Sequence, residues 1–342
     1  MTREQINKLV KEGIFPETTT CRELIETHIS WVIICDHYVY KIKKPVCYSF
    51  LDFSTLEKRK YFCKREVELN KRLTEDIYLD VVSISESNRS LIFGSNKGTI
   101  TEYAVRMHRL NREKQMDILL CANKVTTDDI QNLAKKIATF HQRTKIINKK
   151  NILTIQQEFN DLATQADFLQ KNTSAKYSDI IHNAINASDR FIKKNSELLN
   201  ERLYNGYIRD CHGDLHSRNI FLLPDPQPFD CIEFNDDFRY IDILNEVAFL
   251  CMDLEAFGRK DLSDLFINYY NFFFPSMAST KERSLFVYYK CYRANIRAKV
   301  NSLRAVSASD SAERAIALLA VEKYLVLMNE YIKSSLFQQA IQ

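Results

Sequence analysis

Two hydrophobic periodicities share this chain, and they divide it unequally. In residues 28–44, β-branched and aromatic residues run HISWVIIC, break at Asp36-His37, and resume as YVYKIKK, which predicts a β-hairpin. Strand-like alternation returns at 81–85, 90–93 and 99–107, for about five antiparallel strands in all. Residues 2–11 read as a short helix with Thr2 as cap and Gly13 as stop, and a second helical piece is expected near 21–25. Residues 55–73 set Leu56, Tyr61, Phe62, Val67, Leu69 and Leu73 among charges at helical spacing. Beyond about Asp117 the strand signal fades and helices dominate. One starts at Thr126 with acids in its first turn and carries His141 beside its apolar stripe, where a packed histidine is expected. Helical pattern alternates with a polar linker (171–176) up to residue 203, another helix covers 243–255, and the tail after Ser334 is expected to fray. The pattern predicts an α+β chain: an N-terminal antiparallel sheet with one main helix in residues 1–107, and a mostly helical part in 108–342.

Composition narrows the class. A chain of 342 residues suits one large domain or two lobes, since domains run at about 100–200 residues. With 45% hydrophobic and 27% charged residues it has ample material for a core. A net charge of +4 is small for this length, so a dedicated nucleic-acid binder is not expected, whereas an enzyme handling anionic nucleotides is compatible. The nine cysteines are scattered with no C-x-x-C pair, and no signal peptide is evident, so a reduced, cytoplasmic setting is expected. No apolar run approaches the roughly 20 residues of a membrane span, so no membrane partner is expected either. Only six glycines occur, so no glycine-rich phosphate loop is available.

The chemistry concentrates in residues 211–233, CHGDLHSRNIFLLPDPQPFDCIE. His212-Gly213-Asp214 is followed by Asn219 five residues after the aspartate, then by an apolar strand (220–223), a turn rich in Pro and Asp (224–228), and a second expected strand, 229–234, that brings in Glu233. H-G-D-x-x-x-x-N resembles the H-R-D-x-x-x-x-N catalytic loop of kinases, in which the Asp meets the acceptor hydroxyl while the Asn and a later acid hold Mg²⁺. Tyr38-Val39-Tyr40-Lys41 likewise resembles the strand that carries a phosphate-binding lysine. Lys41 and Lys43 share a strand face by period-two alternation, and the place in the pattern favours Lys41. Glu66, with Glu68 as fallback, falls on the helix where such a lysine finds its partner.

The ordered set Lys41, Glu66, Asp214, Asn219 and Glu233 resembles the aminoglycoside phosphotransferase family, within the wider choline kinase and protein kinase-like fold. His212 to Asn219 fits that family's H-G-D-x-H-x-x-N loop in full, and Tyr40-Lys41-Ile42-Lys43-Lys44-Pro45 with Phe50-Leu51-Asp52-Phe53-Ser54 resembles an uncharacterised bacterial branch of it. Members of that branch are sometimes fused to a P-loop kinase domain, but no G-x-x-x-x-G-K-[ST] occurs here. The resemblance implies a two-lobed, ATP- and Mg²⁺-dependent phosphotransferase acting on a small-molecule hydroxyl. It assigns catalysis to Asp214, His212, Lys41 and Glu66, and the metal to Asn219 and Glu233. Nucleotide binding falls to Lys41, Lys43, Ser30 and Met107, the last in a connector (103–110) whose backbone would meet adenine.

Two departures stand out. Glu233 replaces the family's usual aspartate, leaving Asp230 and Asp236 as neighbouring alternatives. The hairpin around His28-Ile29-Ser30-Trp31 would have to cover the phosphates, with the Ser30 hydroxyl and backbone N–H groups as donors. Tyr289, Arg293 and Arg297 recur every four residues on one helix face, either to grip an anionic substrate or as a solvated stripe. Asp242 reads as a structural cap or brace. The alternatives to a small-molecule kinase are a nucleotide-binding pseudokinase, suggested by Glu233, and a protein Ser/Thr kinase, which lacks the expected A-P-E after the metal acid.

Overall fold

The computed structural model describes residues 1–95, 97–308 and 310–342. Residues 1–119 with 218–238 form one compact unit, and residues 120–217 with 239–342 form the other. The first unit opens with α1 (Arg3–Glu12), β1 (Glu23–Glu26), β2 (Ser30–Ile34) and β3 (Tyr38–Lys43). A small two-stranded pair follows, β4 (Cys47–Tyr48) and β5 (Leu51–Asp52), then α2 (Leu56–Asn70), β6 (Tyr78–Ser87), β7 (Ser90–Phe93), β8 (Thr99–His108) and α3 (Met116–Cys121).

The sheet of this unit has six strands in the order β1-β2-β3-β8-β6-β7, and its pairings are antiparallel. Helix α1 begins where the sequence places it: the Thr2 hydroxyl accepts from the Gln5 N–H in a capping box, and the Gly13 N–H closes the end on the Leu9 carbonyl. Ile6 and Leu9 of α1 bury against one sheet face together with Phe15, Ile33, Tyr40 and Ile42. Helix α2 covers the other face, where Cys63 meets Ile77, Tyr78, Val105 and Met107. Because β3 alternates, Tyr40 and Ile42 enter the first core while Lys41 and Lys43 turn toward α2.

The sequence reading needs four corrections. Residues 21–25, expected to be helical, run into strand β1 (Glu23–Glu26), which pairs Glu23 with Ile34 and Glu26 with Trp31. Five residues are too few to sustain a helix alone, whereas the edge of β2 supplies a ready ladder. The strand expected at 229–234 is instead β11 (Gln227–Pro228), paired with β10 (Ile220–Phe221), and residues 229–234 are irregular. The supposed connector from 103 stays in β8 as far as His108. The tail does not fray: α12 (Ser335–Ile341) buries Phe337 completely.

In the second unit, α4 (Thr127–Arg143) starts at a Thr126–Asp129 capping box and is followed by α5 (Thr154–Asn160), α6 (Ala166–Asn172), α7 (Ala175–Tyr204) and β9 (Ile208–Asp210). After residues 218–238 the chain resumes with β12 (Tyr240–Asp242), which pairs with β9. Then come α8 (Ile243–Ala256), α9 (Lys260–Phe273), α10 (Thr280–Ser307) and α11 (Ser311–Lys333). Helix α8 is the axis of this unit, with every residue from Ile243 to Leu254 buried. No helix among the described residues is long and apolar enough to cross a membrane.

Ile42 is fully buried in the α1-side core, so Ile42→Ala should cost roughly 2–4 kcal/mol, read as a lower urea midpoint with an unchanged slope.

Candidate active site

The chemistry-bearing residues fall into two groups, one in each unit. In the first unit, Glu66 projects from α2 with no exposure and takes a lysine on each oxygen. Lys41 Nζ lies 2.8 Å from Oε1, and Lys43 Nζ lies 2.7 Å from Oε2. Lys41 reaches on to Asp230 Oδ1 at 2.6 Å, and Lys43 to Glu233. Lys43 is wholly buried, whereas Lys41 is 14% and Asp230 42% exposed at the side chain, so the chain of charge has a dry end and a wet end. Glu68, the fallback for the helix glutamate, is largely exposed and pairs with Arg65.

Burial alone would raise the Glu66 carboxyl, but the two ammonium groups beside it hold it down at about 2. Burial would also lower both lysines, and the flanking carboxylates more than offset it, so both are held in the charged form. Burial pushes Glu233 upward.

The acidic segment is tied to α2 by backbone as well as by charge. The Cys231 N–H donates to Asn70 Oδ1 at 2.9 Å, and the Glu75 N–H to Gln227 Oε1 at 2.7 Å. Asp230 sits at φ +62°, a conformation that aspartate tolerates better than most residues, and its N–H donates to the Tyr78 hydroxyl. The Phe229 N–H donates to the Asn219 carbonyl at 2.8 Å, so the asparagine is stitched to the start of the irregular segment that carries Asp230 and Glu233. Ser30 pairs with Lys43 across β2 and β3 and therefore shares its face. Its backbone N–H is taken by Thr27 Oγ1, while its own buried hydroxyl has no hydrogen-bond partner among the described residues. Met107 is packed in the α2-side core.

In the second unit the loop after β9 is held from three sides. Glu246, in the first turn of α8, accepts the His212 N–H at 2.6 Å and the Gly213 N–H at 2.8 Å, one on each oxygen. Gly213 has φ +90°, which lets the chain turn both N–H groups onto one carboxylate; a side chain there would be strained. Asp253, two turns along α8, accepts both the N–H and the hydroxyl of Ser217. From α10, Arg293 donates to the Gly213 carbonyl at 3.2 Å and to Asn245 Oδ1 at 2.6 Å.

Between these anchors Asp214 is partly exposed, with His216 Nε2 at 3.3 Å and the Asp214 N–H donating to His212 Nδ1. Burial would raise Asp214, but the His216 ring and the Arg297 guanidinium hold it well below the usual carboxylate range. His141, Cys211 and Glu246 offer ligand atoms within 4.8 Å of one another. The two Glu246 oxygens, however, already receive the loop N–H groups, and His141 Nδ1 bonds the Tyr270 hydroxyl at 2.8 Å. Asp242 caps α8 through the Leu244 N–H and pairs with Arg202 and the Tyr289 hydroxyl.

The helix face of Tyr289 and Arg293 is thus neither a solvated stripe nor a free grip, since both side chains are buried and brace β12 and the loop. Sequence reading assigned no role to Glu246 or Asp253, whereas Asp230, expected only as an alternative metal ligand beside Glu233, is the second partner of Lys41. The first two did leave a trace, as isolated acids in the otherwise apolar run ILNEVAFLCMDL, where a charge must find a partner.

No protein-family profile matches the chain. It is 33% identical over 285 residues to an uncharacterised protein of Mycobacterium tuberculosis, a match that covers 82% of this chain and 54% of that protein. The chain therefore spans about half the length of the curated relatives it matches. Among solved structures, choline kinase from Cryptosporidium parvum Iowa II matches with a TM-score of 0.58 at 12% identity, over 100% of this chain and 98% of that one. A choline/ethanolamine kinase family protein from Mesorhizobium loti matches with a TM-score of 0.54 at 12% identity, over 99% and 97% of the two chains. At that identity the likeness is one of fold. The chain has the kinase-like fold of these small-molecule kinases, with an N-terminal antiparallel sheet and a helical C-terminal part.

The Glu246 carboxyl is raised by burial but lowered further by the His141 hydrogen bond and nearby charge, to about 2 from an ordinary 4.5. Its ionised contribution to stability is therefore complete above pH 4.5 and disappears as pH falls toward 2. Glu246→Gln should cost roughly 2–4 kcal/mol at neutral pH. The gap to the parent protein should shrink below pH 4.5 in urea titrations at stepped pH. Lys43→Met should be the more damaging lysine change, by roughly 3–5 kcal/mol, because it strands buried Glu233. Lys41→Met should cost less, since Asp230 is 42% exposed, and thermal melts of the two variants give the comparison.

Proposed function

We propose that this chain is an ATP- and Mg²⁺-dependent phosphotransferase that moves a phosphoryl group onto a hydroxyl of a small molecule. The observation that carries the proposal is the run of charge from buried Glu233 through Lys43, Glu66 and Lys41 to half-exposed Asp230. One buried and one half-buried lysine sharing a buried carboxylate are costly to fold, and three carboxylates against two ammoniums leave the set one charge short of neutral. A nucleotide polyphosphate with a divalent cation supplies partners of both signs.

The donors suit magnesium. The Glu233 and Asp230 carboxylates and the Asn219 amide are hard oxygen ligands, and the orphaned Ser30 hydroxyl shares the face of Lys43. Magnesium, when bound, would neutralise phosphate charge. The extra methylene of Glu233 relative to aspartate is matched by its reach to Lys43. In this reading Glu66 braces both Lys41 and Lys43 toward the phosphates. In this reading the backbone near Met107, whose side chain packs in the α2-side core, would hold adenine.

In the reaction the acceptor hydroxyl oxygen attacks the γ-phosphorus, the bond from that phosphorus to the departing ADP oxygen breaks, and the hydroxyl proton passes to Asp214. Asp214 is fully ionised at neutral pH, so it orients the hydroxyl first and takes the proton as the new bond forms. His216 fixes its carboxylate, and His212 positions the loop through both ring and backbone. Rate gain in such a site comes chiefly from positioning and charge stabilisation.

The test is Mg²⁺-dependent ADP release from ATP over a panel of sugars, amino alcohols, nucleosides and aminoglycosides. Asp214→Ala should lower acceptor-stimulated turnover by at least roughly a hundredfold while ATP affinity stays within about twofold. Undiminished turnover in that variant would sink the assignment.

A further inference from the structure

The face of α10 that braces the catalytic loop has one arginine left over. Tyr289 is bound to Asp242, and one turn on Arg293 is bound to Gly213 and Asn245. One further turn, about 5.4 Å along the helix axis, brings Arg297 past the guanidinium that holds the loop carbonyl. Its charge acts on Asp214 and Asp253, and its guanidinium carbon lies 5.5 Å from the Tyr324 ring of α11. Arg297 Nε is buried and has no hydrogen-bond partner among the described residues.

Among the described residues no other buried arginine has an unpartnered side-chain nitrogen. Arg59 Nε donates to Glu102 and its Nη1 to the Phe53 carbonyl. Arg202 meets Asp242 and the Ser276 carbonyl, and Arg239 meets Asp210. The Arg297 guanidinium hydrogen-bonds Tyr324, but its buried Nε stays unanswered. A buried donor without a partner is costly, and a planar guanidinium edge fits a carboxylate or phosphate in two parallel hydrogen bonds. It would repel a cation.

We propose, resting on the phosphotransferase reading, that Arg297 receives an anionic group on the acceptor, so that the substrate of this site is a hydroxylated carboxylate or phosphate ester rather than an amino alcohol or aminoglycoside. Tyr324 backs the guanidinium plane, Asp214 addresses the hydroxyl, and the distance between them selects the acceptor's length. Arg297 is in this sense a specificity residue whose work is done in binding.

The experiment uses the full chain with Mg²⁺ and ATP and four matched probes: glycerol, choline, D-glycerate and glycerol 3-phosphate. The anionic pair should stimulate ADP release and the neutral and cationic probes should not, with the better of the two anions distinguishing carboxylate from phosphate. Arg297→Gln should raise KM for that anion at least tenfold with kcat within threefold and ATP affinity unchanged, and Arg297→Lys should recover part of the loss. Equal or better stimulation by glycerol or choline, or a parental KM in Arg297→Gln, overturns the proposal. Direct calorimetry of D-glycerate and glycerol 3-phosphate separates the two readings. Anion binding that Arg297→Gln abolishes, without any ADP release, upholds the anion site and rejects the transfer reading. Absence of anion binding together with turnover on a neutral or cationic acceptor does the reverse, and absence of both overturns this inference.

Discussion

The carboxylate of Glu66 is the constraint on which the first unit depends. Without exposure it has no water to share its charge, so it must be flanked, and β3 supplies two lysines on the face that α2 covers. Each lysine then needs a second carboxylate, which draws the 218–238 segment against the same helix and sheet. Asn70 at the end of α2 takes the Cys231 N–H, so the side-chain and backbone tethers point to the same register. A local demand for charge compensation thereby joins a strand, a helix and a segment far away in sequence.

The second unit solves a different problem with the same means. A loop that presents Asp214 must not move, yet short irregular loops have no ladder to hold them. Here α8 supplies Glu246 and Asp253 at a spacing of seven residues, about two helical turns, so both carboxylates face the loop and between them bind three of its N–H groups. Arg293 fixes the Gly213 carbonyl from the opposite polarity. The acid that the loop presents is thus pinned through its neighbours while its own carboxylate stays partly open.

Functional machinery built this way is distributed between structural helices and exposed loop residues. Glu246, Asp253 and Arg293 touch no reacting atom in the proposed mechanism, yet they set where Asp214 stands. Arg297 lies on the same helix face and hydrogen-bonds Tyr324, but its Nε has no acceptor among the described residues, which is why the proposal gives it a binding role where Arg293 has a bracing one.

Local chemistry was legible in the residues themselves. Caps at Thr2 and Thr126, the hairpin into β3, the α2 pattern and the order Lys41, Glu66, Asp214, Asn219, Glu233 all follow from short-range propensity and spacing. Alternation alone placed Lys41 and Lys43 on one face, but it left open which of them meets the glutamate, because both are the same distance from the question in sequence. Only tertiary packing showed that Glu66 takes both and that depth distinguishes them, since burial is a property of what covers a face. The strand at 23–26, the pairing of β10 with β11 and the buried tail were likewise decided by partners distant in the chain. Glu246 and Asp253 stand in the sequence merely as charges in an apolar run and Arg293 as one member of a helix face, and the fold determined what each one holds, because a buried charge is defined by its partner and that partner lies elsewhere in the sequence.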